Sequence, residues 1–284
     1  MTWTERQREM LQAMGLRVWT APVVEAVPVV AEPSPAPPPT AASPKPSPSA
    51  TRPAPAPATN RGAEAPTEPP PARSADLEGR ASRIATLDWS ALREEAVQCR
   101  ACGLCESRKQ VVFGTGHPNA RWMIVGEAPG EQEDLQGEPF VGASGQLLDN
   151  MLRALGLTRA ADGDGPDSQR VYIANTLKCR PPRNRNPEPA EMLQCEPFLM
   201  RQIELIRPRL ILAMGRFAVQ ALLRSSEPVG KLRGKVHRYQ GVPLVVTYHP
   251  AYLLRNLPDK ARAWDDLCLA ASVAEGDGPH VAPR

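Results

Sequence analysis

Proline decides how this chain can be divided. Of its 33 prolines, 17 fall between Pro22 and Pro71, in runs such as Pro33-Ser34-Pro35-Ala36-Pro37-Pro38-Pro39. Proline lacks a backbone N–H and fixes its own φ, so neither a helix interior nor a sheet ladder can run through such a segment. The segment also carries almost no large apolar side chains, so burial cannot offset the entropy lost on ordering. It reads as an extended, polyproline-like spacer. The expected organisation is a short helical segment over 1–20, a disordered Pro/Ala-rich linker over 21–85, a globular domain over 86–275 and a disordered tail over 276–284. In the first segment Thr4 and Gln7 fit a capping box, and Met10, Leu11 and Met14 share a face. The arm reads as a passive tether or as a docking arm for a protein partner.

Several classes are excluded early. No run of about 18 apolar residues exists, so no membrane-spanning helix is expected. Met1–Trp19 mixes Arg6, Arg8, Glu5 and Glu9 into its apolar positions and does not read as a signal peptide. The six cysteines are therefore expected in a reducing compartment, the cytoplasm, where clustered thiols read as metal ligands or catalytic groups before disulfides. The net charge of +3 is too small to announce a nucleic-acid binder without a local basic patch.

Beyond Leu87 the pattern becomes globular. A helix is expected over Ser90–Gln98, then a buried strand at Trp122–Val125 ended by Gly126. Ser144 is placed to cap a helix carrying Leu147, Leu148, Met151, Leu152 and Leu155, stopped at Gly156. Further strands are expected at Val171–Ala174, Leu210–Ala213 and Pro243–Thr247, and helices at Pro189–Ile206, Arg216–Leu223 and Asp259–Ala274. Alternating strands and helices specify an α/β fold: a three-layer α/β/α arrangement around a central, mainly parallel four-stranded sheet. In such sheets the ligand crevice lies beyond the carboxyl ends of the strands. Those ends are Gly126–Gly130, Asn175-Thr176, Gly215 and Tyr248-His249-Pro250, where the polar and glycine residues gather.

Cys99, Cys102 and Cys105 form C-x-x-C-x-x-C, and Cys179 and Cys195 flank a loop rich in Pro and Arg. Four thiolates from Cys99, Cys102, Cys179 and Cys195 suit zinc or an iron–sulfur cluster equally on spacing. Cys268, inside the last helix, reads as a small buried apolar residue.

After the first strand comes Gly126-Glu127-Ala128-Pro129-Gly130-Glu131-Gln132-Glu133-Asp134. It is neither a P-loop nor a dinucleotide fingerprint, and its carboxylates would repel a polyphosphate. Four motifs occur in order: G-E-x-P-G-E-x-E-D from Gly126, G-x-P-F-V-G-x-x-G-Q-L-L from Gly137, N-T-L-K-C-R-P-P-x-N-R from Asn175 and H-P-A-Y-L-L-R from His249. Together they resemble the family 4 uracil-DNA glycosylases, from about Cys99 to about Leu269; residues 1–85 lie outside the resemblance.

The resemblance implies hydrolysis of the bond between uracil N1 and the deoxyribose in DNA, after the base is flipped from the stack. It implies a structural [4Fe–4S] cluster on Cys99, Cys102, Cys179 and Cys195; many relatives lack a cysteine where this chain has Cys105. It puts Phe140 against the uracil face, Asn175 on its N3–H and O4, and His249 on O2 as negative charge develops. Glu127, Ala128 and Pro129 would line the uracil and hold water, with Glu127 a catalytic candidate. Ala128 stands where the superfamily's best-known branch has an aspartate, so no strong general base is expected there. Glu133 would fence the C5 edge against thymine's methyl. Arg180, Arg183 and Arg185 form a basic loop suited to phosphates. Leu253, Leu254 and Arg255 would wedge into the duplex. A related subgroup that becomes trapped on a histidine carries a basic K-R-R-I-H-like insert, where this chain has Pro181-Pro182-Arg183-Asn184-Arg185-Asn186. The alternative of another class is a non-catalytic iron–sulfur DNA-binding or polymerase-associated module. The expected partner is uracil-containing DNA, met by a monomer with no membrane association.

Overall fold

The structure, a computed structural model, describes residues 71–160 and 166–276. The helix expected near the start and the spacer up to residue 70 lie outside the described residues, as does the tail from 277.

Six strands form one sheet: β1 (Thr115–Gly116), β2 (Trp122–Gly126), β3 (Val171–Asn175), β4 (Leu210–Met214), β5 (Val236–Tyr239) and β6 (Val242–Thr247). Their order is β1-β3-β2-β4-β6-β5. The inner four are parallel and both edge strands are antiparallel. Every residue of β2, β3 and β4 is buried. That is why they read as unbroken apolar runs, as strands covered on both faces do.

The helices are α1 (Pro71–Ala85), α2 (Trp89–Gln98), α3 (Leu104–Ser107), α4 (Glu131–Gln136), α5 (Ala143–Ala154), α6 (Pro189–Ile206), α7 (Arg216–Leu223), α8 (Val229–Leu232), α9 (Pro250–Leu253) and α10 (Asp259–Glu275). On one face of the sheet Leu148 and Met151 of α5 meet Trp264 and Leu267 of α10 over Ile124, Ile173 and Leu212. On the other, Leu199 and Ile203 of α6 and Val219 of α7 pack on Met123, Ala174 and Ile211. The expected three-layer, mainly parallel architecture is therefore present.

Three expectations need correction. The sheet has six strands rather than four. The two extra ones lie at the edges, one only two residues long and the other half-exposed, so neither carries an apolar run. Ser144 is not the cap of α5: Gly142 is, and Ser144 sits in the first turn. The spacer does not extend to 85. Proline is tolerated in a helix's first turn, and α1 starts at Pro71. Its Ile84 is fully buried with Leu92, Ala96, Phe113 and Phe198, an anchor the composition of the preceding run conceals.

Asp266 of α10 is fully buried and fixes the carboxyl end of β6. It accepts from Thr247 Oγ1 at 2.9 Å, from Gly234 N at 3.1 Å and from Arg233 Nε at 3.0 Å. Removing one partner of a buried ion pair leaves the other charge uncompensated, which costs about 3–5 kcal/mol. Asp266→Ala is expected to lose that much stability in urea unfolding; a loss below about 1 kcal/mol would show that the cluster does not hold β6.

Candidate active site

The carboxyl ends of the parallel strands open into a cavity of about 930 Å³, lined among others by Glu127, Phe140, Asn175, Tyr248, His249 and Arg255. Asn175 ends β3, opposite Gly126 at the end of β2. It is 2% exposed, and its Oδ1 has no hydrogen-bond partner. An orphaned buried acceptor costs about 1–3 kcal/mol, so the oxygen is poised for a donor the protein does not supply. Gly126 leaves it room: a Cβ there would overlap both Asn175 Oδ1 and the Phe140 ring.

Behind Asn175 lies a buried network. Lys178 Nζ donates to Asn175 O at 2.9 Å and to Gln202 Oε1 at 2.7 Å. Gln202 Nε2 donates in turn to Phe113 O at 2.9 Å. Burial pulls the Lys178 ammonium down to about 8, against the opposing pull of Cys195 and Cys179.

Phe140 has a φ of 56°, the left-handed region a bulky residue enters only when held there. Arg159 holds it, donating to Pro139 O at 2.9 Å and Phe140 O at 3.0 Å while its Nε binds Asp149 at 2.7 Å. Gly145 is required by the same loop, since a Cβ would overlap Phe140 O. The Phe140 ring faces His249, centroids 5.3 Å apart at 30°.

His249 follows β6. Its Nδ1 accepts from Ala251 N at 3.2 Å, so the neutral ring carries its proton on Nε2. Burial pulls the imidazole down to about 4; Glu133 opposes this and Arg255 adds to it. The ring is thus a neutral donor at physiological pH.

The acidic loop differs in detail from expectation. The Glu127 backbone carbonyl is already taken by Leu177 N at 3.1 Å and Thr176 Oγ1 at 2.5 Å, so it cannot hold water. Its side-chain carboxyl remains on the cavity wall, raised by burial and lowered in part by Arg216. Ala128 and Pro129 line the cavity as expected. Glu133 also reaches it, but its carboxylate accepts from Gly130 N and Val141 N, both at 3.0 Å, and from Gly142 N at 3.3 Å. It braces the wall between the two glycine loops.

One DNA-facing expectation is corrected. Leu253 is fully buried in the core under α5 and cannot wedge, because the first turn of α9 turns it inward; Leu254 is 40% exposed, and Arg255 is exposed on the cavity rim. Arg185 is clamped to Glu191 by two bonds, 2.9 and 2.6 Å, tying the proline loop to α6. Arg180 bonds Asn184 at 2.7 Å, whereas Arg183 is exposed in a left-handed conformation.

Cys99, Cys102, Cys105, Cys179 and Cys195 line one hollow. Among the described residues no three His, Cys, Asp or Glu side chains converge to hold a single metal ion. Four of the thiols each accept one N–H: Cys99 from Arg80 at 3.3 Å, Cys179 from Arg108 at 3.2 Å, Cys195 from Lys178 N at 3.2 Å and Cys102 from Leu104 N. Such bonds tune cluster sulfurs. Cys268, expected to be buried, is exposed, off the face of α10 that carries Ala263, Trp264 and Leu267.

Sequence reasoning missed Arg159, Gln202, Arg216 and Tyr252. Arg159 and Gln202 act on backbone carbonyls, which leave no spacing to read. Tyr252 lies inside H-P-A-Y-L-L-R, where the two leucines and the arginine carry the more obvious DNA-wedge signal. A second groove of about 510 Å³ between α6 and α7 shares Asn186 and Arg216 with the cavity, but no buried side-chain atom without a partner lines it.

A family model described as the uracil DNA glycosylase superfamily matches residues 113–268. A type-4 uracil-DNA glycosylase of Saccharolobus solfataricus is 43% identical over 59% of this chain and 77% of its own length. One from Archaeoglobus fulgidus is 42% identical over 56% of this chain and 80% of its own. One from Pyrobaculum aerophilum is 42% identical over 64% of this chain and 93% of its own.

The His249 geometry sets a pH expectation. An unfolded imidazole titrates near 6.5, so the ring's contribution to stability is complete above that value and is lost as the pH falls toward 4. In an NMR titration of the native chain His249 is expected to stay neutral at pH 6.5, protonated on Nε2; a midpoint at 6.5 would contradict the buried neutral donor.

Proposed function

The chain belongs to the type-4 family of the uracil-DNA glycosylase superfamily, and we propose that it hydrolyses the N-glycosidic bond of uracil in DNA, freeing the base and leaving an abasic site. The observation that carries this is the unpartnered Asn175 Oδ1 on the wall shared with Phe140 and His249. A base inside a duplex cannot reach that wall and must be extruded. Phe140 then stacks on the pyrimidine, a contact worth about 1–3 kcal/mol and blind to base identity.

Identity comes from Asn175. Its Oδ1 accepts from uracil N3–H and its amide nitrogen donates to O4, whereas cytosine presents an acceptor at N3 and donors at N4. A cytosine in this cavity would leave Oδ1 buried without a partner, and such mismatches discriminate strongly. Lys178 and Gln202 hold the strand end in place from behind.

As the glycosidic bond lengthens, negative charge builds on the uracil and positive charge on the sugar. His249 Nε2–H donates to O2. A neutral imidazole suffices, because a preorganised donor in a dry site commonly contributes a few kcal/mol without delivering a proton. Much of the acceleration then comes from stabilising a dissociative, oxocarbenium-like state. The Glu127 carboxyl positions the attacking water and takes its proton, since Glu127 lines the cavity and position 128, an alanine, carries no carboxylate. Glu133 fences the C5 edge indirectly, by holding the loop of Val141 and Gly142 in place. Arg183, Arg255 and exposed Leu254 are the DNA-facing groups, with Arg180 beside them.

The cysteine hollow suits a [4Fe–4S] cluster held by Cys99, Cys102, Cys179 and Cys195, with Cys105 on its rim. When bound, the cluster supplies a cross-link between the end of α2, the loop after β3 and the first half of α6. The four N–H donors to the sulfurs of Cys99, Cys102, Cys179 and Cys195 support this set.

Two measurements test this reading. On a labelled oligonucleotide, Asn175→Ala is expected to release uracil about 10²–10³-fold more slowly than the unaltered chain, with unchanged circular dichroism; near-normal release would remove Asn175 from the pocket. Purified chain is expected to be brown, with about four iron atoms per molecule; stoichiometric zinc without iron would refute the cluster.

A further inference from the structure

The ring of Tyr252 lines the cavity, stacked on one face and exposed in part. Its covered face stacks on Tyr248, centroids 5.0 Å apart and planes 21° apart. Tyr248 is itself backed by the Arg233 guanidinium, 5.9 Å from its ring centre. The Tyr252 hydroxyl donates to Asp259 at 2.6 Å, and Asp259 accepts from Arg262 at 3.0 Å. Its carbonyl accepts from Arg255 N and Asn256 Nδ2, both at 3.0 Å. The residue is thus fixed at its edge, at its backbone and on one face, yet it remains 37% exposed. An aromatic ring held this firmly has lost rotamer freedom without gaining full burial. It is preorganised for a flat ligand.

The surroundings identify the ligand. Tyr252 lines the same cavity as Phe140 and Asn175, and Arg255 and Arg216 bring positive charge to that cavity. A π face beside cations is how proteins bind the bases and backbone of an unpaired strand. When a base leaves the stack, its neighbour loses a stacking partner, and a ring at the cavity's edge can replace it.

We infer that Tyr252 is the stacking platform for the nucleobase adjacent to the flipped uracil, with Tyr248 as its backing ring. This rests on the uracil-DNA reading and adds a second base site to it. It also divides the labour in His249–Arg255: Leu253 packs the core, Leu254 projects outward, and Tyr252 receives the neighbour. Because every base has a π face, the platform tolerates any neighbour and operates on single strands as well as on duplexes.

The test uses oligonucleotides carrying 2-aminopurine on the 5′ or the 3′ side of the target. Binding is read with 2′-fluoro-2′-deoxyuridine as an uncleaved target, and turnover with deoxyuridine. The unaltered chain is expected to quench the fluorophore on one side. Tyr252→Ala is expected to lose that quenching and to raise KM about 5- to 150-fold, with kcat changed much less. Tyr252→Phe, which keeps the ring and loses the bond to Asp259, is expected to retain both. Quenching and KM unaltered in Tyr252→Ala would overturn the platform, as would Tyr252→Phe behaving like Tyr252→Ala. Absence of uracil release by the unaltered chain would overturn the glycosylase reading instead, and the quenching experiment would still report on the ring.

Discussion

A buried amide oxygen without a partner is the constraint around which this molecule is arranged. Folding brings Asn175 Oδ1 out of water and gives it nothing in exchange. That penalty is tolerable only inside a scaffold with stability to spare, and the parallel sheet supplies one: β3 is buried along its whole length and paired on both sides. The features around the oxygen keep it unpaired yet fixed. Gly126 gives it space, Lys178 and Gln202 hold its main chain, and Arg159 keeps Phe140 in a conformation the ring would otherwise leave.

The cysteine hollow lies on the same segment. Lys178 donates its backbone N–H to Cys195 and its side chain to Asn175 O. One residue therefore touches both the sulfur cradle and the reading strand. Ala128 lines the cavity and also packs with the cluster of Leu104, Leu177 and Cys179. A cross-link at the sulfurs would stiffen the wall proposed to read the base, giving the cradle a purpose without any part in the chemistry.

Much of this was legible in the amino-acid order, and the rest was hidden for identifiable reasons. β2, β3, β4 and β6 announce themselves because strands buried on both faces must be apolar throughout. Asn175 and His249 stand in recognisable motifs at strand ends and Phe140 in one on the loop before α5, and the structure brings all three to one cavity. The edge strands stayed hidden because a two-residue strand and a half-exposed one carry no periodic signal. Leu253 and Leu254 look identical in sequence, and only the turn of α9 decides which is buried. Arg185 lies on the cavity wall, and its two hydrogen bonds to Glu191, six residues on, have no signal in the spacing. The anchoring of α1 through Ile84 and Arg80 includes Phe198 and Gln194, partners more than a hundred residues away.

The most direct test is a crystal structure of the chain soaked with free uracil. The account predicts the base stacked on Phe140, its N3 within hydrogen-bond distance of Asn175 Oδ1 and its O2 facing His249 Nε2. Uracil bound elsewhere, for instance in the groove between Met192 and Phe217, with the Asn175 amide untouched, would contradict it.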